Sequence, residues 1–244
     1  MEVWDIHNHI LFGVDDGAHS LNQALRMLDI AYEEGIRNII LTPHSHPRFK
    51  KANVARFREA YRELEAEVKK RYEGLRLYLG CEVYYGDRTL EKLKEGSAIP
   101  MADSRYVLLE FDTYDPIEKL KKAVTEMLSN KYKPILAHIE RYDCLLDDPN
   151  EVDSLIDMGA YIQINAGSVM GNSGLGIKRY TRKLLKEQKV HFIGTDAHKD
   201  DRRTPHISKC VRYVGKKYGA DYADRIFMKN PQAIINNQEI EETL

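Results

Sequence analysis

The sequence is poor in the residues that build a disulfide framework or a cysteine-based zinc site. Its three cysteines, Cys81, Cys144 and Cys210, are an odd number, and none forms a Cys-x-x-Cys pair. A reducing, cytoplasmic environment therefore fits this chain better than secretion does.

The sequence also lacks an excess of charge and any long apolar run. The net charge is −1 over 244 residues, so no global attraction to nucleic acid or to a membrane is expected. Charged residues interrupt every apolar stretch well before the length that spans a bilayer. The chain enters VWDIH without a basic segment followed by an apolar one, so no signal peptide is expected. We therefore predict a cytoplasmic protein without nucleic-acid binding or membrane insertion.

What the chain does have is a regular alternation of β-rich apolar segments with amphipathic ones. This alternation predicts an α/β fold whose parallel strands form either a barrel or an open doubly wound sheet. Hydrophobic residues make up 43% of the sequence and no low-complexity linker divides it, so one domain is expected. The predicted strands are Val3–His7, Asn38–Thr42, Arg76–Glu82, Tyr106–Phe111, Pro134–His138, Tyr161–Asn165 and His191–Thr195.

Histidines and carboxylates lie at the ends of six of these seven predicted strands, and only the sixth ends instead in an asparagine. In parallel α/β proteins these ends share one face, where active sites form. In the His-x-His of residues 7 and 9, both imidazoles lie on one side of a strand, with Cα atoms roughly 6.5–7 Å apart. Each residue alone has a structural explanation, but the joint pattern indicates a metal site. The candidate ligands are His7, His9, one of Asp15 and Asp16, His44, Glu82, Glu110, His138, Asp196 and His198.

Nine ligands are too many for one ion and suit two or three ions that share a bridging carboxylate. A mixed imidazole and carboxylate set without thiolate favours manganese, iron or zinc over calcium. The charge of three divalent ions would exceed that of the four carboxylates. Arg141 and Arg203 are expected on the same rim, either as ordinary surface cations or as anion-binding groups. Such a cationic site suits a phosphate ester.

Six short motifs resemble those of the PHP (polymerase and histidinol phosphatase) superfamily over roughly residues 1–230. They are DIHNHILFGVDDG, ILTPH, GCEVYYGD, VLLEFD, AHIERY and GTDAH. The sequence is similar in particular to bacterial manganese-dependent protein-tyrosine phosphatases of capsule and exopolysaccharide operons. The resemblance implies a single PHP phosphatase domain over residues 1–244, with a distorted seven-stranded (β/α) barrel. It also implies two or three divalent transition-metal ions, manganese before iron or zinc.

The resemblance further implies a role for each site residue. It assigns His7, His9, Glu82 and Asp196 to one ion, Glu82, Glu110 and His138 to a second, and Asp16, His44 and His198 to a third. Arg141 and Arg203 would bind the phosphate. The implied reaction is hydrolysis of phosphotyrosine on a cytoplasmic bacterial tyrosine kinase that controls polysaccharide export, by direct attack of metal-bound hydroxide.

Several alternatives remain open at this point. A histidinol-phosphatase-like phosphomonoesterase would use the same superfamily motifs, and a two-metal nuclease would also begin with His-x-His. A non-catalytic metal-binding domain is the alternative from another class, and a homo-oligomer is compatible with the sequence. Cysteine-based phosphatase chemistry is disfavoured, because no cysteine begins a Cys-x5-Arg loop.

One segment, SHPRFKKAN at residues 45–53, departs from the family pattern. Its Arg48, Lys50 and Lys51 are either substrate contacts or solvated cations. No narrow aromatic slot is recognisable in the sequence. Selection of phosphotyrosine over phosphoserine is therefore expected to come mainly from the better phenolate leaving group.

Overall fold

The computed structural model describes residues 2–49 and 53–240, so Lys50 and Lys51 of the 45–53 segment lie outside the described residues. The strands are β1 (Val3–Asp5), β2 (Ile36–Leu41), β3 (His44–Ser45), β4 (Arg76–Leu79), β5 (Glu82–Tyr84), β6 (Tyr106–Glu110), β7 (Lys133–Leu136), β8 (Tyr161–Asn165) and β9 (Phe192–Gly194). The helices are α1 (Leu21–Glu33), α2 (Val54–Arg71), α3 (Thr89–Glu95), α4 (Ile117–Ser129), α5 (Asp143–Asp147), α6 (Glu151–Asp157), α7 (Ala166–Met170), α8 (Leu175–Lys186), α9 (Ser208–Tyr218), α10 (Ala220–Asp224) and α11 (Asn230–Ile235). None of these helices is long and apolar enough to cross a lipid bilayer.

The strands form two parallel sheets that curl into an incomplete barrel. One sheet has the order β1-β2-β4, and the other has the order β3-β5-β6-β7-β8-β9. The segments after β1 and β9 meet through a parallel bridge between Asn8 and Ala197. Gly194 allows this approach, because a Cβ atom there would lie 2.6 Å from the Cβ of His7. The predicted parallel α/β fold is confirmed, whereas the described residues contain nine strands in two sheets rather than seven.

The extra strands arise where two chain segments step sideways near the site. Pro43, which has no N–H to donate to a ladder, separates β2 from β3. The predicted strand Arg76–Glu82 is likewise interrupted at Gly80, whose N–H donates to the Leu41 carbonyl at 2.9 Å. After these steps His44 and Glu82 begin new strands in register with each other. Two candidate ligands are thereby brought side by side.

Two apolar clusters stabilise this arrangement. In the smaller cluster, Ile40, Leu108, Ile135 and Phe192 come from different strands and contact one another, so they fill the interior of the curled sheets. The larger cluster lies between the sheets and the surrounding helices. Burial of both clusters holds the strand ends rigidly enough to position polar side chains above them.

Helix α1 illustrates how the sequence forms the outer layer. The Ser20 hydroxyl accepts a hydrogen bond from the Gln23 N–H and caps the helix. Buried Ala24, Met27, Leu28 and Ala31 follow at intervals of three and four residues, so one face packs on the core.

Candidate metal centre

Glu82 lies at the centre of the candidate site, buried among four histidines. Its Oε1 is 3.2 Å from His7 Nε2 and 2.8 Å from His138 Nε2. Its Oε2 is 3.3 Å from His9 Nε2 and 3.0 Å from His44 Nδ1. Burial alone would raise the pKa of Glu82, but His7 and His44 hold that pKa well below its usual value. Each carboxylate oxygen thus faces a different pair of imidazoles, as a bridging ligand requires.

Asp196 connects this centre to two arginines. Its Oδ1 lies 3.7 Å from His7 Nε2 and 3.5 Å from His9 Nε2. Its Oδ2 accepts a hydrogen bond from Arg141 Nη2 and a second one, 2.8 Å long, from Asn165 Nδ2. The same oxygen lies 2.7 Å from Arg203 Nη2. The Arg141 and Arg203 side chains are 41% and 45% exposed, so they border both the buried ligands and the solvent.

The structure distinguishes Asp15 from Asp16, a choice of candidate ligand that the sequence left open. Asp16 is the more exposed, and its Oδ1 lies 3.5 Å from His44 Nε2 and 3.6 Å from His198 Nε2. Asp15 turns away from this group and approaches Nδ1 of His9 at 2.8 Å. Gly17 makes the tight loop possible, because a Cβ atom there would overlap the His9 carbonyl oxygen at 2.0 Å. Asp16 is therefore the aspartate in the ligand cluster.

The nine predicted ligands lie close together, although their closest groupings differ in three details from the implied ones. Three sets of ligand atoms converge closely: His9, Asp16, His44 and His198; His7, His9 and Glu82; and His44, Glu82 and Glu110. His44 thus joins Glu82 and Glu110, where the resemblance assigns His138. His9 joins the set that contains Asp16, and Asp196 belongs to none of the three sets. His138 Nε2 nevertheless lies 3.9 Å from Glu110 Oε1.

The donor atoms of this cluster fit divalent transition metals. Six of its buried atoms have no hydrogen-bond partner among the described residues. They are His7 Nε2, His9 Nε2, His44 Nδ1, Glu82 Oε2, Glu110 Oε2 and His138 Nδ1. Buried polar atoms without partners are rare and costly in proteins. Five of these six atoms form close imidazole–carboxylate pairs inside the cluster. Imidazole nitrogens and carboxylate oxygens are ligands that manganese, iron and zinc bind.

Two buried residues orient the first two histidines: Asp15, which the sequence offered only as a possible ligand, and Gln163, which the sequence analysis missed. Asp15 accepts the Nδ1 hydrogen of His9, and it also accepts the backbone N–H of His44 at 2.9 Å. Gln163 Oε1 lies 3.1 Å from His7 Nδ1 and accepts the His138 N–H at 2.6 Å. With Nδ1 of each ring protonated, Nε2 is left unprotonated to face Glu82. The signal for Gln163 was present, since it is polar and lies between two isoleucines of β8.

Three residues of the site adopt left-handed backbone conformations that side chains disfavour. The φ angles of His138, Asp196 and Arg203 are 35°, 51° and 48°. The turns after β7 and β9 thereby direct these side chains back towards the strand ends, and such strain is typical of functional sites.

Replacing Asp15 with asparagine should weaken metal binding about 10- to 100-fold, as expected for a partner that orients a ligand. The substitution keeps the shape but removes the charge that orients His9. Metal titration followed by calorimetry would measure the change, with the exposed Asp157→Asn as the matched control. Equal affinities in all three proteins would contradict a role for Asp15 in the site.

Comparison with known proteins places the chain among capsule-synthesis proteins. The family model described as capsular polysaccharide synthesis, CpsB/CapC, matches residues 3–236. The tyrosine-protein phosphatase CpsB of Streptococcus pneumoniae is 34% identical over 241 residues, which cover 97% of this chain and 99% of that protein. A crystal structure from the pair YwqE of Bacillus subtilis and CpsB of Streptococcus pneumoniae, described as unique metal-dependent tyrosine phosphatases, matches with a TM-score of 0.92 and 28% identity. The match covers 98% of this chain and 97% of that one.

A more distant likeness concerns the fold alone. Histidinol phosphate phosphatase from Lactococcus lactis matches with a TM-score of 0.57 and 16% identity, covering 89% of this chain and 94% of that one. The curled parallel sheets therefore belong to a fold that enzymes of different specificity share.

Proposed function

The chain belongs to the CpsB/CapC family of capsular polysaccharide synthesis, and we propose that it hydrolyses phosphotyrosine on a bacterial tyrosine kinase that controls capsule or exopolysaccharide synthesis. It is an enzyme, a metal-dependent protein-tyrosine phosphatase. The membership confirms the resemblance recognised in its sequence motifs. The observation that supports the proposal most strongly is a bridging-type carboxylate, Glu82, among four histidines beside two half-exposed arginines.

The nine clustered side chains would hold two or three divalent ions, with manganese the first choice. His7, His9, Glu82 and Asp196 are proposed for one ion, with Glu82 shared with a second ion beside Glu110 and His138. Asp16, His44 and His198 are proposed for a third. Bound ions would supply Lewis acidity and activate water for attack on phosphorus.

Arg141 and Arg203 are the proposed phosphate-binding residues. They line a polar cavity of about 150 Å³ next to Asp196, together with residues that include Asn165, Ser168 and Thr204. A guanidinium fork can make two parallel hydrogen bonds to phosphate oxygens, which stabilises charge in the transition state. Because Asp196 Oδ2 contacts both arginines while Oδ1 faces the histidines, it fixes the phosphate site relative to the ligands.

The leaving group needs little help from the protein. A tyrosine phenol has a pKa of about 10, so its phenolate departs more easily than the alkoxide of serine. No strong general acid is therefore required, and a proton for the phenolate can come from water. The chain is proposed to act as one domain and in the cytoplasm, where the kinase would present its phosphotyrosine segment.

The test is a comparison of substrates with the same purified protein. Turnover of a phosphotyrosine peptide should far exceed turnover of histidinol phosphate, and single-stranded DNA should stay intact. Preferential turnover of histidinol phosphate, or cleavage of the DNA, would replace the proposed function with one of its alternatives. No phosphatase activity with any divalent ion would indicate a non-catalytic metal-binding domain.

The same assay tests the role of the metal. Removal of the metal by a chelator should abolish phosphotyrosine hydrolysis, because the ligands alone carry no nucleophile suited to phosphorus. Activity should return when manganese is added back. Full turnover by protein shown to be metal-free by elemental analysis would refute metal dependence.

A further inference from the structure

A row of three aromatic rings borders the metal centre on the side of β3 and β5. The Phe49 ring lies against the ligand His44, with centroids 5.0 Å apart and planes at 17°. The His46 ring follows, 6.0 Å from Phe49 and 4.2 Å from Tyr84. All three rings are partly exposed, whereas the ligand histidines are buried. We refer to Phe49, His46 and Tyr84 as the aromatic row.

Two of these rings are held in place by hydrogen bonds. The Tyr84 hydroxyl donates to Asp112 Oδ2 at 2.6 Å, and His46 Nδ1 accepts the Arg48 N–H at 2.9 Å. Tyr84 is also the register partner of Glu110 on the adjacent strand, which keeps the row next to a ligand. The row is therefore a preformed surface, and little side-chain freedom would be lost when a ligand contacts it.

The two arginines proposed to bind phosphate lie on the other side of the centre. Arg141 follows β7 and Arg203 follows β9, while the aromatic row is on β5 and around β3; β6 lies between β5 and β7. The centre thus has the aromatic row on one side and the proposed phosphate-binding arginines on the other. The row also has cations over two of its rings, with Arg48 Cζ 4.9 Å from the Phe49 centroid and Lys119 Nζ 5.4 Å from the Tyr84 centroid. An aryl phosphate has the same two parts, a ring and an anion joined by one oxygen.

We propose that the aromatic row binds the phenyl ring of the substrate tyrosine while the arginines bind its phosphate. The inference rests on the proposed phosphotyrosine phosphatase function and adds a specificity site to it. It revises the expectation that leaving-group chemistry is the main source of selection, since phosphoserine has no ring to stack. The row is an open platform and not a narrow slot, so it can accept a tyrosine from an extended peptide.

The test separates ring binding from leaving-group reactivity. Para-nitrophenyl phosphate and acetyl phosphate both have good leaving groups, but only the first has an aromatic ring. In Phe49→Leu, KM for para-nitrophenyl phosphate should rise roughly 3- to 10-fold, the range expected from loss of an aromatic pair. KM for acetyl phosphate and the inhibition constant of inorganic phosphate should stay within about twofold of the wild-type values, because neither molecule has a ring to contact Phe49. Phe49→Tyr should restore the aryl KM, and Tyr114→Leu is the control, because Tyr114 is 85% exposed and outside the row.

Because Phe49 contacts a ligand, metal content is measured in every variant. If Phe49→Leu lowers it, the same pair of substrates is compared in Tyr84→Leu, and that comparison decides. Equal changes in KM for both substrates, or no change for either, would overturn the ring site. Those results would leave the proposed function intact, whereas failure of the wild-type protein to hydrolyse a phosphotyrosine peptide would refute both.

Discussion

Replacing Glu82 with glutamine should lower kcat/KM for a phosphotyrosine peptide by at least about 10²-fold, the scale expected when a catalytic ion is lost. The amide has nearly the same shape, but it has no charge and only one oxygen. In the structure each carboxylate oxygen faces its own pair of histidines within 3.3 Å. An amide can satisfy one of these pairs but not both, so we expect the variant to lose metal as well as activity.

Elemental analysis and kinetics on the same preparation would measure both effects. Glu63→Gln, which removes an exposed carboxylate from α2, is the matched control and should behave as the wild type does. Because His7 and His44 hold the pKa of Glu82 well below its usual value, the ionised carboxylate stabilises the fold at neutral pH, so the metal-free variant should melt below the metal-free wild type. Wild-type turnover with full metal content in Glu82→Gln would show that Glu82 does not bridge two ions.

Replacing Arg141 with alanine should lower kcat/KM about 30- to 1000-fold, which corresponds to roughly 2–4 kcal/mol of lost transition-state stabilisation. Arg141→Lys should fall in between, since an ammonium group supplies charge without the planar fork. Metal content should be retained, because Asp196 Oδ2 keeps its contacts with Arg203 and Asn165. The alternative is a structural role for Arg141, since its Nη2 donates to Asp196 Oδ2.

Kinetics, metal content and melting temperature of both variants distinguish these roles. Arg62→Ala, on the exposed face of α2, is the matched control for loss of a guanidinium group. A large fall in melting temperature or in metal content with an unchanged rate per bound metal would indicate that Arg141 only supports Asp196. An unchanged kcat/KM in Arg141→Ala would exclude it from the phosphate site.

The sequence was sufficient to predict which residues gather at the site, because strand ends in a parallel sheet converge whatever their detailed path. It could not decide between Asp15 and Asp16, since both lie in the same loop between Gly13 and Gly17 and only the folded loop reveals the directions of their side chains. The break at Gly80 also escaped prediction. Gly80 lies so close to the Met101 backbone that a Cβ at residue 80 would be 3.0 Å from the Met101 Cα, and no local pattern reports that contact.

The aromatic row escaped for a similar reason. Phe49 and Tyr84 are 35 positions apart in the sequence, and nothing in either segment indicates that His46 connects their rings. Pro43 did carry a local signal, because proline has no N–H to donate and so favours a break in the hydrogen-bond ladder of a strand. Contacts between distant segments thus account for most of what the sequence alone did not provide.

The left-handed backbone at His138, Asp196 and Arg203 sets selection for stability against selection for activity. At Arg203, the most exposed of the three, glycine would relieve of the order of 1 kcal/mol, and it cannot replace a guanidinium. A library of variants screened only for heat resistance should therefore accumulate glycine at position 203 and lose activity. Selection for activity would therefore keep a residue whose backbone conformation lowers the stability of the folded state.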